Sequence, residues 1–275
     1  MFDLHIHTLH SADSKQTVDE ACESALQKGL RGIAICDHAD IWFSKKLDTP
    51  LQISRCMEDI HRAREIYGDR LEVLQGVEMA EYLYDPEEAD RILNLGGFDV
   101  ILGSVHSLMF EDIDDSYSRV DFSAMPEEKI LRFMKWYFLD VSEMIEKTDF
   151  DVLTHLTCPL RYINGKYKRN VDIGYFEKEI REIFDQIIRR DIPLEINTSG
   201  IGAFYGRYMP DVPLIRTYAD MGGKLLTLAS DAHAPQNVGN AFSSTRTVLQ
   251  DIGFDSYCVF RQRKLFQQGF GNVFS

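Results

Sequence analysis

Two histidines stand two residues apart in Phe2-Asp3-Leu4-His5-Ile6-His7-Thr8. On an extended strand, positions i and i+2 share a face, so His5 and His7 present paired imidazoles while Ile6 turns into apolar packing. Such a pair is a ready set of metal ligands. More residues of ligand type follow, each at the end of a short apolar run: His38, Glu78, His106, His155, Asn197, and Asp231 with His233. Six of the eight histidines thus fall at or beside strand ends. The other two, His61 inside a predicted helix and His10 in the loop after the first strand, are read as structural. Imidazole mixed with carboxylate suits zinc, manganese or iron rather than calcium or magnesium alone. Eight or nine ligands exceed what one tetrahedral ion takes, so two to three divalent transition-metal ions are expected.

These residues need elements that bring them together. Thr17-Val18-Asp19-Glu20 has the form of a capping box and opens a helix to about Lys28, ended by Gly29. Apolar runs at Ile33–Cys36, Leu71–Val77, Asp99–Val105, Val152–Thr154, Leu194–Ile196 and Leu225–Ala229 read as strands two to seven. Helical patterns lie between them: around Ile53–Ile66, Pro86–Leu95, Pro126–Lys147, Ile173–Arg190 and Val212–Met221, with a last one from near Asn237. Long loops are expected at Ser107–Met125, Leu156–Asn170 and Thr198–Met209. Short apolar strands alternating with helices argue for a parallel sheet covered by helices. Seven such units can close into a barrel, one short of the usual eight, and the strand C-termini then converge on one mouth.

The 275 residues are read as a single domain, 1–275, with enough apolar content for a sizeable core. The formal charge of −14 does not favour a nucleic-acid footprint, which needs clustered Lys and Arg. Cys22, Cys36, Cys56, Cys158 and Cys258 are scattered, odd in number and without a C-x-x-C pair, so they read as buried thiols in a reducing compartment. The first strand follows Met1 at once, which leaves no room for a signal peptide, and no apolar run is long enough to span a bilayer. A cytoplasmic location with no membrane partner is expected.

The chain resembles the PHP (polymerase and histidinol phosphatase) superfamily. The matching motifs are His5-x-His7-Thr8, Asp37-His38, Gly76-Val77-Glu78, Ser104-Val105-His106, His155 and Ser230-Asp231-Ala232-His233. The length and the His155-to-Arg161 segment look most like its histidinol-phosphate phosphatase branch. The resemblance implies an α/β fold, a distorted (β/α)7 TIM-like barrel with the metal site at the C-terminal mouth of the strands. It implies a first ion on His5, His7, Glu78 and Asp231, and a second on Glu78, His106 and His155. A third would use His38, His233 and a residue of the loop after strand one. Many relatives use histidine at that loop position; here Asp13 stands in its place.

The net positive balance of such a cluster suits a phosphate dianion, and paired ions lower the pKa of a shared water and neutralise phosphoryl oxygens. The expected partner is therefore a small-molecule phosphomonoester, by resemblance L-histidinol phosphate. Phosphotyrosine or nucleotide substrates are the nearest alternatives, and a non-catalytic metal-stabilised binding domain is a more distant one. Glu78, Asp231, His233 and Arg161 are expected to carry the chemistry. Arg161, a few residues past His155, and Arg207, after strand six, are candidates to grip phosphate. Glu111 and Asp112, after His106, are candidates to meet a cationic leaving group, and Asn197 completes the substrate set.

Overall fold

The computed structural model describes residues 1–202 and 204–271. Its centre is a ring of seven parallel strands hydrogen-bonded in chain order: β1 (Phe2–Ile6), β2 (Gly32–Ile35), β3 (Glu72–Ala80), β4 (Val100–Ser104), β5 (Val152–Leu153), β6 (Leu194–Asn197) and β7 (Leu226–Ala229). A short eighth piece, His38–Asp40, pairs with the C-terminal half of β3, setting His38 opposite Glu78. No ladder joins β7 to β1. A single parallel bridge between Ile6 and Ala232 closes the ring there; Asp231 N donates to His5 O at 2.8 Å and His7 N to Ala232 O at 3.0 Å. The result is the nearly closed, distorted α/β barrel expected from the alternation.

Among the described residues the longer helices, which cover the ring, are α1 (Val18–Gln27), α2 (Thr49–Tyr67), α3 (Pro86–Leu93), α4 (Glu127–Lys147), α5 (Glu177–Arg189), α6 (Val212–Asp220) and α7 (Phe242–Ile252). The capping box forms as read, with Thr17 Oγ1 accepting from Glu20 N and the Glu20 carboxylate accepting from Thr17 N. In α5 the buried residues are Ile180, Ile183, Phe184 and Ile187, the i, i+3, i+4, i+7 stripe that fits a helix to a sheet. Strands such as Gly32-Ile33-Ala34-Ile35 are buried throughout, because helices lie on one side and barrel core on the other. The five cysteines are free and buried. Among the described residues, no helix is long and apolar enough to cross a membrane.

Four segments depart from the sequence reading. The expected loop after β4 holds an antiparallel hairpin, Ser107–Phe110 with Ile113–Ser116, and the one after β5 is wound into helical turns over Cys158–Leu160 and Arg161–Lys166. The last helix begins at Phe242; only a single 3-10 turn lies at Pro235–Asn237. Beyond α7 a hairpin that sequence reasoning did not anticipate, Ser256–Arg261 with Lys264–Gly269, runs under the barrel. Its two turn residues, Gln262 and Arg263, have φ of 51° and 60°, a conformation usually signalled by Asn-Gly. Asp99, just before β4, holds the turn by accepting Gln262 N on its side chain and Arg263 N on its carbonyl, each at 2.9 Å. Arg261 pairs with Glu72 at the start of β3, and Arg263 with Asp149 and Asp151 before β5.

The hairpin also completes the start of β1, where Phe2 N donates to the Tyr257 hydroxyl at 3.1 Å. Tyr257→Phe leaves that buried N–H without a partner. It should lower stability by about 1–3 kcal/mol in denaturant titrations while leaving metal content unchanged; an unchanged midpoint would mean that water replaces the hydroxyl.

Candidate metal centre

At the C-terminal mouth of the strands five imidazoles converge on one buried carboxylate. Glu78 Oε1 lies 2.7 Å from His155 Nε2 and 3.1 Å from His106 Nε2. Glu78 Oε2 lies 2.8 Å from His38 Nδ1, 3.4 Å from His5 Nε2 and 3.6 Å from His7 Nε2. Asp231, at φ +51° on the barrel seam, places Oδ1 3.2 Å from His7 Nε2 and 3.5 Å from His233 Nδ1. Asp13 spans the open side, 3.6 Å from His38 Nε2 and 3.3 Å from His233 Nε2. The nine residues proposed as ligands from the sequence are thus brought together. Three sets of them have ligand atoms close enough to share one ion: His5, His7 and Asp231; His38, Glu78 and His106; and His7, His38 and His233.

The chemistry of this donor set fits divalent ions. Glu78 Oε2 is buried and ringed by three ring nitrogens, yet none meets it with hydrogen-bonding geometry, so it accepts no hydrogen bond. Two imidazole pairs face each other nitrogen to nitrogen, His5 with His7 at 3.0 Å and His106 with His155 at 3.3 Å, and each gap has room for one proton at most. Burial alone would raise the Glu78 and Asp231 carboxyls. The imidazoles around them, His106, His5 and His38 for Glu78 and the His7 contact for Asp231, hold both well below the carboxylate range. Burial pushes His7 down to about 3, helped by His38 and His233. Burial would also lower His5, His38 and His106, but Glu78 with Glu195 or Asp40 raises all three well above the ordinary histidine value.

Supporting residues went unread in the sequence. His5 Nδ1 donates to Glu195 Oε2 at 2.8 Å, and Glu195 Oε1 accepts from His155 N. His106 Nδ1 donates to Asp40 Oδ1 at 2.9 Å. Glu81, pushed up to about 8 by burial and the nearby Asp40, accepts from His106 N and Ser107 N. A carboxylate flanked by apolar residues within a strand, as in Leu194-Glu195-Ile196, was the available signal.

A cavity of about 790 Å³ opens above the cluster. Arg161 lines it, where the sequence put it: the helical turn after His155 swings its guanidinium back over the mouth. Nη1 donates to Ser199 Oγ at 3.2 Å, while the buried Nε has no protein partner. Other expected substrate contacts are not brought here. Arg207 is 62% exposed and pairs at 2.7 Å with Asp211, one helical turn on at the start of α6. Glu111 and Asp112 form the tip of the 107–116 hairpin and turn to α4, where Arg132 and Lys129 neutralise them. Asn197 lies beneath the cavity and donates to Glu195 Oε1 at 2.8 Å and Asp231 Oδ2 at 3.4 Å, so it braces ligands.

The PHP domain family model matches residues 3–199. The chain belongs to the PHP domain family. The match ends before Asp231 and His233, which the barrel seam brings to the cluster. Among curated relatives, a "Probable histidinol-phosphatase" of Clostridium acetobutylicum is 25% identical over 97% of this chain and 99% of its own. The "Histidinol-phosphatase" of Lactococcus lactis subsp. lactis is 27% identical over 96% of this chain and 95% of its own. The crystal structure of histidinol phosphate phosphatase from that organism, complexed with zinc, L-histidinol and phosphate, shares the fold. Its TM-score is 0.75 at 20% identity, covering 96% of this chain and 98% of that one.

The raised histidines set a pH dependence. A divalent ion such as zinc that bound through these imidazoles would have to displace protons from His5, His38 and His106, so uptake near neutrality should release protons and tighten as pH rises. Calorimetry in two buffers of different ionisation heat checks this; zero release contradicts it. The same protons stabilise the metal-free fold. A histidine pKa raised on folding adds stability that is fully present below about 6.5 and lost as pH climbs through the folded value. The depressed carboxyls act with the opposite sign, losing their share in acid. The Tm of metal-free protein should therefore fall on the alkaline side, and zinc should abolish that fall.

Proposed function

We propose that the chain is a metal-dependent phosphomonoesterase that hydrolyses L-histidinol phosphate to L-histidinol and phosphate, a step of histidine biosynthesis carried out in the cytoplasm. The observation that carries the reading is one buried carboxylate, Glu78, shared by five imidazoles on the floor of a cavity beside the Arg161 guanidinium. Full-length similarity to curated histidinol-phosphatases supports the substrate.

In this reading His5, His7, Glu78 and Asp231 hold a first ion, and Glu78, His106 and His155 a second. His38, His233 and Asp13 hold a third. Zinc, manganese or iron in these positions supplies a water of near-neutral pKa and neutralises the phosphoryl oxygens during in-line displacement. The chain supplies the positioning, which is most of what phosphoryl transfer needs from a protein. Arg161 grips the phosphate with the part of its fork not used on Ser199, and burial strengthens that contact. Ser199 in turn sits 3.2 Å from Asp231 Oδ2, so phosphate grip and ligand cluster share a hydrogen-bond chain. The organic end is left to the wider cavity, where Tyr117 and Tyr162 offer ring faces with centroids 5.7 Å apart.

Purified chain should release phosphate from histidinol phosphate in preference to a phosphotyrosine peptide or a nucleotide, with two to three ions per chain; a reversed preference reassigns the substrate. Glu78→Gln should lose metal and activity together. Arg161→Ala should keep its metal and lose about 2–4 kcal/mol of transition-state stabilisation, measured as kcat/KM. An unchanged kcat/KM would make Arg161 a structural residue.

A further inference from the structure

Three imidazoles of the centre rest Nδ1 on groups that can only accept: His5 on Glu195, His106 on Asp40, and His233 on the Asp231 carbonyl. His7 differs. Its Nδ1 meets a hydroxyl, Ser11 Oγ, at 3.2 Å, and a hydroxyl can give a proton or take one. If Ser11 gave, His7 would carry its hydrogen on Nε2, pointed at His5, Glu78 and Asp231, and could ligate nothing there. Which way this hydrogen bond runs therefore decides whether His7 is a ligand.

The decision is made one residue further out. Asp37 is fully buried, and Ser11 Oγ lies 2.6 Å from its Oδ1, which also accepts Thr8 N at 2.6 Å. Its Oδ2 accepts Thr8 Oγ1 at 2.5 Å and the Cys56 thiol at 3.1 Å. An ionised carboxylate has nothing to donate, so the single Ser11 proton goes to Asp37. The Ser11 oxygen is left as an acceptor, and it takes His38 N at 3.0 Å as well as His7 Nδ1. In this arrangement every polar group of the set has a partner.

We propose that Asp37 and Ser11 are positioning residues that lock His7 in the Nδ1–H form, keep its Nε2 bare toward the metal, and tether it to the backbone of His38. Their hydrogen bonds run to His7 and to the backbone of Thr8 and His38, and they act through His7. The proposal rests on the metal reading above, but the tautomer is a property of the chain alone, so the two can fail separately. Partners of this kind behind metal-binding histidines typically change affinity ten- to a hundred-fold.

The test combines two readouts on the full chain. Nitrogen NMR of metal-free protein with labelled imidazoles reads the tautomer, and competition with a zinc chelator reads affinity. Wild type should show His7 with its hydrogen on Nδ1. Ser11→Ala should show a mixture of tautomers and bind zinc about 10–100-fold more weakly. Asp37→Asn keeps an accepting oxygen and loses the charge, so it should hold the tautomer and weaken zinc less than Ser11→Ala. An Nε2–H His7 in wild type, or Ser11→Ala binding zinc as tightly as wild type, overturns the proposal. If Ser11→Ala does not fold, the wild-type spectrum and Asp37→Asn still decide it. Wild type that shows the stated tautomer but takes up no zinc would keep the lock and sink the metal reading.

Discussion

The structure depends on one buried negative charge. Glu78 has no exposed surface, and among the described residues no lysine or arginine pairs with it; its partners are imidazoles contributed by β1, β4, β5 and the segments that follow them and β2. Removing a carboxylate from water costs several kcal/mol unless cations or donors replace the lost solvation. In the metal-free chain that replacement comes from His5, His38 and His106, whose affinity for a proton Glu78 raises together with Glu195 or Asp40. The barrel is therefore built around a charge met only by imidazoles, and in the reading proposed above divalent cations would take the place of their protons.

That requirement explains the buried carboxylates behind the cluster. Glu195, Asp40 and Asp37 each take a hydrogen on the far side of the ring system, directly or through Ser11, and so turn the near nitrogens toward the centre. The ionic groups lie in layers, with carboxylates outside, imidazoles between, and Glu78 and Asp231 inside. Each layer fixes the proton positions of the next. Arg161 stands apart as a half-buried guanidinium over the mouth, and its route into this network is Ser199.

Much of the centre was legible because each ligand closes an apolar run, and parallel strands of one barrel end at the same level. Asp13 was legible only through the family resemblance, as the residue standing where many relatives have histidine, and Arg161 by its closeness to His155. Distance along the chain did not reveal direction, however. Glu111 and Asp112 follow His106 as closely as Arg161 follows His155. Yet the 107–116 hairpin carries them outward to two basic residues of α4, and Arg207 finds Asp211 on its own side of the loop. Glu195 and Asp40 were illegible as supports, because a lone carboxylate in a strand declares its partner only once the strands are neighbours. The C-terminal hairpin was missed because Gln262 and Arg263 hold a turn that their own types do not favour; Asp99 and Asp151, far away in sequence, supply the reason.

The seam between β1 and β7 has a consequence for how the molecule comes into being. Asp3 takes its hydrogen bonds from Ser230, 227 positions later, and His5 and His7 meet Asp231 and Ala232 across the same seam. A ribosome delivers the first half of this junction 227 positions before the second. Over that stretch of synthesis the nascent chain carries His5, His7 and a strand edge with no mate, and contacts of such long separation are slow to form. Until β7 has emerged, Asp231 and His233 are missing from the cluster, so a chain cut short of that strand would hold only part of the centre.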